Sequence, residues 1–158
     1  MRFVVAVVGK PRDANLAGAI REYEMRASRY WPLDVHEVRE EPARSGSADL
    51  VREREGERLL SAVPDGAAVV ACELSGRMMS SDEFAAWLQR LREQARDVAI
   101  VIGGAFGLGA VIKQRASHSL ALAPWTLPHG SRGWCSPNSC IERGQFFEAS
   151  RTTNDRRV

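Results

Sequence analysis

The stretch RDVAIVIGG, residues 96–104, decides the fold class of this 158-residue chain. It is a short run of apolar, mostly β-branched residues that ends in two glycines, which is typical of a strand buried on both faces. The same pattern occurs in RFVVAVVGK (2–10) and DGAAVVACELSG (65–76). Because helical segments separate these strands, the sequence predicts a single α/β domain with a mainly parallel sheet and helices on both faces.

Three of the intervening segments predict helices. In residues 12–31 the apolar side chains lie near helical spacing, with Asp13 as the expected cap. These apolar residues are Leu16, Ile20, Tyr23 and Met25. Residues 49–63 predict an amphipathic helix whose many Arg and Glu residues form a solvated face with i,i+4 pairs. Residues 80–95 begin with a Ser-x-x-Glu capping box.

Two further segments predict strands. Residues 32–40 indicate a half-exposed strand, and SLALAPWTLPH (119–129) an apolar one. In a parallel sheet, ligands bind beyond the carboxyl ends of the strands. The predicted ends are Gly9–Lys10, Glu73–Gly76, Gly103–Gly104 and Thr126–His129. Three of these four ends carry glycine, where the backbone can approach a ligand closely.

The turn GGAFGLG, residues 103–109, follows a predicted strand and precedes a short helix. It lacks the G-x-G-x-x-G order of dinucleotide-binding loops and the pattern of a P-loop. A tight strand-to-helix turn and a nucleotide-binding loop are therefore equal alternatives at this point.

Composition and charge exclude several classes of protein. A net charge of +2 is too small to indicate nucleic-acid binding by itself. The apolar runs are far shorter than the roughly 20 residues of a membrane span, and the N-terminus lacks a cleavage-site pattern. We therefore expect a cytoplasmic protein with no membrane association.

The cysteines and histidines do not indicate a catalytic or metal site. Three cysteines make no disulfide framework, and the spacing of Cys135 and Cys140 relative to the histidines does not favour zinc, so we expect no metal. Cys72 is interpreted as a small buried thiol, and His129 as a surface histidine without an orienting carboxylate. No catalytic residue is assigned.

Six stretches together resemble one known family. They are VAVVGK, EYEMR, REGERLL, ELSGRMMSSDEFA, VIGGAFGLG and LAPWTLPH. In their order and spacing they resemble the small SPOUT-class methyltransferases that modify pseudouridine in large-subunit ribosomal RNA, the ribosomal RNA large subunit methyltransferase H family. The resemblance runs from residue 2 to about residue 129.

This resemblance implies a fold, an activity and a site. The fold would be an α/β domain with a C-terminal trefoil knot, a known exception to the rule against threading. The family works as a homodimer, binds S-adenosylmethionine and methylates N3 of a pseudouridine in 23S rRNA. By position, the implied cofactor contacts are Cys72 (usually Leu in the family), Gly103, Gly104, Leu122, Ala123, Pro124, Trp125, Thr126 and Leu127. Loss of the N3 proton implies a base, which the resemblance does not identify here.

The resemblance ends at His129. The family continues with an amphipathic helix that completes the knot and the dimer interface, whereas this chain continues with GSRGWCSPNSC and an unrelated tail. We therefore divide the chain into residues 1–129, the α/β methyltransferase domain, and residues 130–158, an aberrant C-terminal segment.

The genetic code suggests an origin for this segment. If the reading frame slipped by one base near Gly130, each restored codon would begin with the last base of the preceding written codon. The permitted codons through Asp155 then include LARVVLAEQLYRAGTILRGEPYHK followed by a stop. This string resembles the ending of the family, so we hypothesise that residues 130–158 are an out-of-frame translation.

Two alternative functions remain open. One is a ribosome- or RNA-binding relative that keeps the α/β shell and has lost its pocket. The other is a nucleotide-binding α/β enzyme that uses the turn at residues 103–109. Basic residues that could contact RNA are scattered along the chain and are more often plain surface charge. They are Lys10, Arg12, Arg77, Lys113 and Arg115.

Overall fold

A computed structural model of the chain describes residues 1–11 and 14–122. Five strands and four helices alternate through these residues. In chain order they are β1 (Phe3–Val8), α1 (Ala14–Ser28), β2 (Leu33–Val38), α2 (Ala48–Ser61), β3 (Ala68–Arg77), α3 (Ser81–Glu93), β4 (Val98–Ile102), α4 (Ala110–Arg115) and β5 (His118–Leu120), with a single 3-10 turn at Ala43–Ser45 before α2.

The strands form one sheet in the order β2-β1-β4-β3-β5, and each neighbouring pair is parallel. The register places Val5 of β1 beside Val35 of β2 on one side and Ile100 of β4 on the other. Ile100 in turn lies beside Val70 of β3. The mainly parallel sheet predicted from the apolar runs is therefore confirmed. β2 is half-exposed, as expected, because it lies at an edge of the sheet.

Both faces of the sheet are covered by helices. On one face, α1 and α3 pack against alternate strand residues, and α3 contributes Phe84, Trp87, Leu88 and Leu91. On the other face, Leu59 of α2 and Ile112 of α4 pack against Ala6, Val69 and Val101. Each fully buried side chain of this size contributes about 1.5–3 kcal/mol to folding. Helices on both faces were predicted and are confirmed.

Helix α1 departs from the prediction at Met25. Ile20 and Ala27 are buried at 2% and 3% exposure, whereas Met25 is 61% exposed. Residues seven apart lie on the same face of a helix, but a residue five positions on is rotated by about 140°. The prediction that Met25 faces the core was therefore wrong. The predicted cap Asp13 lies outside the described residues.

Strand β3 is longer than predicted. Residues 73–76, expected to follow the strand, belong to it, because β3 continues to Arg77. Leu120 of β5 pairs with both Cys72 and Arg77, so β3 is bulged between those two positions. The predicted strand at 119–129 is observed only in part, because β5 covers His118–Leu120 and residues 121 and 122 lie beyond its end. Residues 123–129 lie outside the described part of the chain.

The capping box at the start of α3 is confirmed. The backbone N–H of Glu83 donates to Ser80 Oγ at 3.2 Å, and the backbone N–H of Ser80 donates to Glu83 Oε2 at 2.8 Å. Two N–H groups that have no partner within the helix are thereby satisfied. Among the described helices, none combines the length and apolar character needed to cross a membrane.

Candidate functional site

The described members of the predicted cofactor site meet at the carboxyl edge of the sheet. In the register, Cys72 of β3 lies between Ile102 of β4 and Leu120 of β5. Residues 103 and 104 directly follow β4, and Leu122 comes two residues after β5. The edge therefore brings together the four residues Cys72, Gly103, Gly104 and Leu122. The other predicted residues, Ala123, Pro124, Trp125, Thr126 and Leu127, lie outside the described part of the chain.

Residues 103–109 form a tight turn between β4 and α4. The backbone N–H of Gly107 donates to the carbonyl oxygen of Gly104 at 2.9 Å. Gly107 has a φ of +79°, which favours glycine. A Cβ at Gly103 would lie 2.7 Å from the carbonyl carbon of Gly107, closer than real Cβ contacts. The glycines are therefore required by the packing of the turn itself.

Helix α2 packs against this turn through Arg52 and Glu55. Arg52 Nη1 donates to the carbonyl oxygen of Phe106 at 3.4 Å. A Cβ at Gly109 would lie 2.7 Å from the carbonyl oxygen of Arg52, and a Cβ at Gly104 would lie 2.7 Å from Glu55 Oε2. The position of the turn is thus determined by side chains and backbone of a helix distant in sequence.

Glu55 corrects the prediction that the charged residues of α2 form a solvated face. Its side chain is 2% exposed, and Oε1 accepts a hydrogen bond from the backbone N–H of Glu41 at 3.0 Å. Burial raises the pKa of Glu55, and the hydrogen bond from Glu41 partly opposes that change. A signal was available in the sequence, since Val51, Glu55 and Leu59 are four residues apart and so share one helical face.

Glu41 connects α2 to the segment after β2. Its carboxylate pairs with Arg54 Nη1 at 2.7 Å and with Arg58 Nη2 at 2.5 Å. Arg58 Nη1 also donates to the carbonyl oxygen of Arg39 at 2.9 Å. Glu41 is 9% exposed, whereas the Arg54 and Arg58 side chains are 45% and 33% exposed, so these ion pairs are shielded from water on the Glu41 side only. They join the β2–α2 connection to the helix that packs against the turn.

Glu73 is a second functional candidate, at a predicted strand end but with no role assigned to it from the sequence. It follows Cys72 in β3, pairs with Lys113 Nζ at 2.7 Å and accepts from Ser119 Oγ at 2.8 Å. The hydrogen bond from Lys113 is the main reason that the pKa of Glu73 is lowered, and Ser119 adds to it. Lys113 was predicted as unassigned surface charge, and the structure instead joins it to the candidate site.

Two other sets of residues join α3 to the neighbouring strands. Trp87 Nε1 donates to His118 Nε2 at 3.2 Å, and the pKa of His118 is lowered, first by burial and then by Arg96 and Arg90. Arg77 pairs with Glu83 at 2.9 Å beside the capping box. Within residues 1–11 and 14–122, no group of three or more His, Cys, Asp or Glu side chains is arranged to hold a metal ion.

Comparison with known proteins shows to which family the chain belongs. The family model described as "Predicted SPOUT methyltransferase" matches residues 1–131. The chain is 60% identical over 129 residues to the protein of Gemmatimonas aurantiaca named "Ribosomal RNA large subunit methyltransferase H", covering 82% of this chain and 84% of that protein. The protein of the same name from Clostridium kluyveri is 36% identical over 134 residues, with the same two coverages. The chain therefore belongs to the SPOUT methyltransferase family, in the branch whose curated members carry that name.

Solved structures support the same fold. A methylase family protein from Neisseria gonorrhoeae superposes with a TM-score of 0.55 at 12% identity, covering 98% of this chain and 83% of that one. A methylase family protein from Haemophilus influenzae Rd KW20 superposes with a TM-score of 0.53 at 13% identity, covering 99% and 69%. At these identities the likeness shows the fold alone.

Proposed function

We propose that this chain is an S-adenosylmethionine-dependent methyltransferase that acts on N3 of a pseudouridine in 23S rRNA of the large ribosomal subunit. The observation that carries the proposal is the 60% identity over 129 residues to a protein named as a large-subunit ribosomal RNA methyltransferase. A further relative of that name, from Clostridium acetobutylicum, is 34% identical over 134 residues. The substrate is thus a folded RNA or ribosomal particle, and the cellular site is the cytoplasm.

The cofactor is assigned to the carboxyl edge of β3, β4 and β5. The contacts would come from Cys72, Gly103, Gly104, Leu122, Ala123, Pro124, Trp125, Thr126 and Leu127. The described members support this assignment because they lie on adjacent strand ends. Gly103 and Gly104 follow the last ladder pairs of β4, which join Ile102 to its two neighbouring strands.

The groups at this edge of the sheet fit the uncharged adenosine part of S-adenosylmethionine. Ile102 and Leu120 are buried at 5% and 6% exposure, and they form an apolar wall beside Cys72. The nearby carboxylate of Glu73 is already paired with Lys113. Backbone N–H and C=O groups of tight turns beside an apolar wall suit adenine and ribose.

S-adenosylmethionine would supply an electrophilic methyl group on a sulfonium. This chain would contribute orientation, because a turn held by its own glycines and by α2 changes little when a ligand arrives. Correct placement of two reactants can supply much of a rate enhancement, since the entropy of bringing them together is lost on binding rather than at the reacting step.

We also propose that the chain works as a homodimer when its reading frame is restored after His129. Large apolar side chains remain exposed on the described surface, at positions that include the extension of β3 and the β4–α4 turn. They are Leu74 at 60%, Met78 at 55% and Phe106 at 40% exposure. Large exposed apolar side chains are residues that a second copy of the chain could cover. Light scattering after size exclusion would give twice the mass of the chain if the proposal is right.

The test of the proposed function uses two proteins, the chain as written and a chain whose reading frame is restored after His129. We expect the restored chain to bind S-adenosylmethionine in calorimetry and to transfer a radiolabelled methyl group to 23S rRNA of unmodified ribosomes. Gly103→Ala should abolish binding, because its Cβ has no space. Gly18→Ala is the matched control, since nothing lies within 4 Å of a Cβ there.

Three outcomes would contradict the proposal. Failure of the restored chain to bind S-adenosylmethionine would remove the cofactor assignment. Ribosome binding without methyl transfer would favour a non-catalytic relative, for which the end of the family match at residue 131 is the specific observation. Preferential binding of ATP or NAD would favour a nucleotide-binding enzyme.

A further inference from the structure

Glu55 is a buried carboxyl group for which the proposed chemistry has no use. It lies in the apolar stripe of α2, yet its side chain ends at the carboxyl edge of the sheet, beneath the turn that follows β4. We propose that Glu55 is a positioning residue whose carboxyl group holds the Gly103–Gly104 turn against the β2–α2 connection and so shapes the cofactor edge. The functional part of this inference rests on the proposed function.

The contacts of the two carboxyl oxygens carry the inference. Oε1 accepts from the backbone N–H of Glu41 at 3.0 Å. On the other side, a Cβ built on Gly104 would lie 2.7 Å from Oε2 and 3.1 Å from Val8 Cγ1. The carboxyl group therefore fills the space that a side chain at residue 104 would occupy. Three segments meet at this group, namely the end of β1, the β2–α2 connection and the end of β4.

A carboxyl group at residue 55 accepts a hydrogen bond, which an apolar side chain of equal size cannot do. Glu41 is itself 9% exposed, so its backbone N–H needs a protein acceptor. Leaving a buried N–H without a partner carries the full cost of removing it from water. A methionine at residue 55 would fill the volume and leave that N–H unpaired, whereas a glutamine would keep the acceptor.

The surroundings of Glu55 favour its neutral form. Within the described residues, Oε2 has no hydrogen-bond partner. The charged groups that face the carboxyl are Glu40 and Glu41 from the β2–α2 connection, which raise its pKa, and Arg58 from α2, which lowers it. The end of β1 contributes Val8 and the end of β4 contributes Gly104, both uncharged. Since Oε1 accepts from the backbone N–H of Glu41, Oε2 on the side of the turn is the oxygen that would carry the proton in the neutral form.

The test compares Glu55→Gln, Glu55→Met and the control Glu57→Gln in the frame-restored protein. Glu57 is exposed on the same helix. Hydrogen exchange of the peptide covering residues 103–109 reports the turn directly through the Gly107 amide, without any cofactor. We expect Glu55→Met to speed that exchange at least 10-fold, and Glu55→Gln and the control to leave it within 3-fold of wild type.

A second readout separates positioning from simple packing. As the pH rises through the raised pKa of Glu55, the dissociation constant for S-adenosylmethionine should rise for the wild type relative to Glu55→Gln, because only the wild type gains a buried charge beneath the turn. Glu55→Met should bind at least 10-fold more weakly than wild type at every pH. The ratio of wild type to Glu57→Gln should not change with pH.

The possible results are decisive in both directions. Unchanged exchange of the turn in Glu55→Met, or equal pH profiles for wild type and Glu55→Gln, would overturn the positioning role. If Glu55→Met does not fold, the comparison of wild type with Glu55→Gln decides the matter. If wild type binds no S-adenosylmethionine, the proposed function fails, and the exchange experiment still determines whether Glu55 holds the turn.

Discussion

Gly76 of β3 lies directly against the backbone of Leu120 in β5. A Cβ on Gly76 would be 2.5 Å from the carbonyl carbon of Leu120 and 2.6 Å from its nitrogen. The N–H of Ala121 donates to the carbonyl oxygen of Arg77 at 3.1 Å just beyond this contact. This close approach allows the bulged end of β3 to hold β5 in place. Leu122 of the candidate site follows β5 by two residues.

Gly76→Ala should therefore destabilise the protein. Backbone atoms cannot move aside as a flexible side chain can, so we expect a loss of about 1–3 kcal/mol, the usual range for overpacking. Urea denaturation followed by circular dichroism measures the change. Gly18→Ala, in the middle of α1 with open space around it, should instead stabilise by about 0.5–1 kcal/mol. An unchanged midpoint for Gly76→Ala would show that β5 is not held by this contact.

Glu73→Gln should destabilise the protein in a pH-dependent way. At neutral pH the loss of the charged hydrogen bonds to Lys113 and Ser119 should cost about 1 kcal/mol, which is less than buried charged hydrogen bonds contribute because Lys113 is half exposed. The pKa of Glu73 is lowered by folding, so its contribution is present above the ordinary value of 4.5 and disappears as the pH falls through the lowered value.

The melting temperatures of wild type and Glu73→Gln should thus differ above pH 4.5 and converge as the pH falls through the lowered pKa of Glu73. Glu53→Gln, an exposed position of α2, supplies the control and should follow wild type at every pH. A constant difference in melting temperature across the pH range would mean that ionisation of Glu73 does not contribute to stability.

Glu55→Gln should show the opposite dependence on pH. Folding raises the pKa of Glu55, so its contribution to stability is fully present below 4.5 and is lost as the pH rises through the raised value. The glutamine variant should therefore gain stability relative to wild type as the pH increases toward neutrality. Differential scanning fluorimetry across pH 4–8 measures the melting temperatures of the two proteins. A difference that does not change with pH would show that the carboxyl group of Glu55 does not have a raised pKa in the folded protein.

Ser80→Ala should weaken the start of α3. The serine side chain accepts from the backbone N–H of Glu83, and loss of such a cap costs about 1 kcal/mol. Ser81→Ala, at the next residue and also exposed, should cost much less. Equal losses in the two variants, measured by urea denaturation, would indicate that the capping box is not formed in solution.

The hypothesis of a frame change near Gly130 predicts the mass of the natural product. Intact mass spectrometry should find a chain that ends like LARVVLAEQLYRAGTILRGEPYHK rather than with the written tail. Sequencing the gene across codon 130 checks the same point at the level of bases. A codon set that cannot yield the shifted string would rule out the hypothesis.

Local pattern was enough to predict much of the architecture. Continuous apolar runs such as residues 98–102 predicted buried parallel strands, and Ser80 with Glu83 predicted the start of α3. These features depend on spacing within one or two turns of chain, which a single sequence displays directly. The six stretches between residues 2 and 129 likewise identified the family, and the family model matches residues 1–131.

What only the tertiary structure decided are contacts between residues distant in the chain. Glu73 and Ser119 are 46 residues apart, and Arg52 and Phe106 are 54 apart, so no local period could pair them. The contact of Glu55 with Gly104 is also between distant residues: helical spacing places Glu55 on the face of Val51 and Leu59, but it does not show what that face packs against. Helical spacing determines which residues share a face, but the packing of that face against the sheet determines which charged groups lose water and which strand ends are held in place.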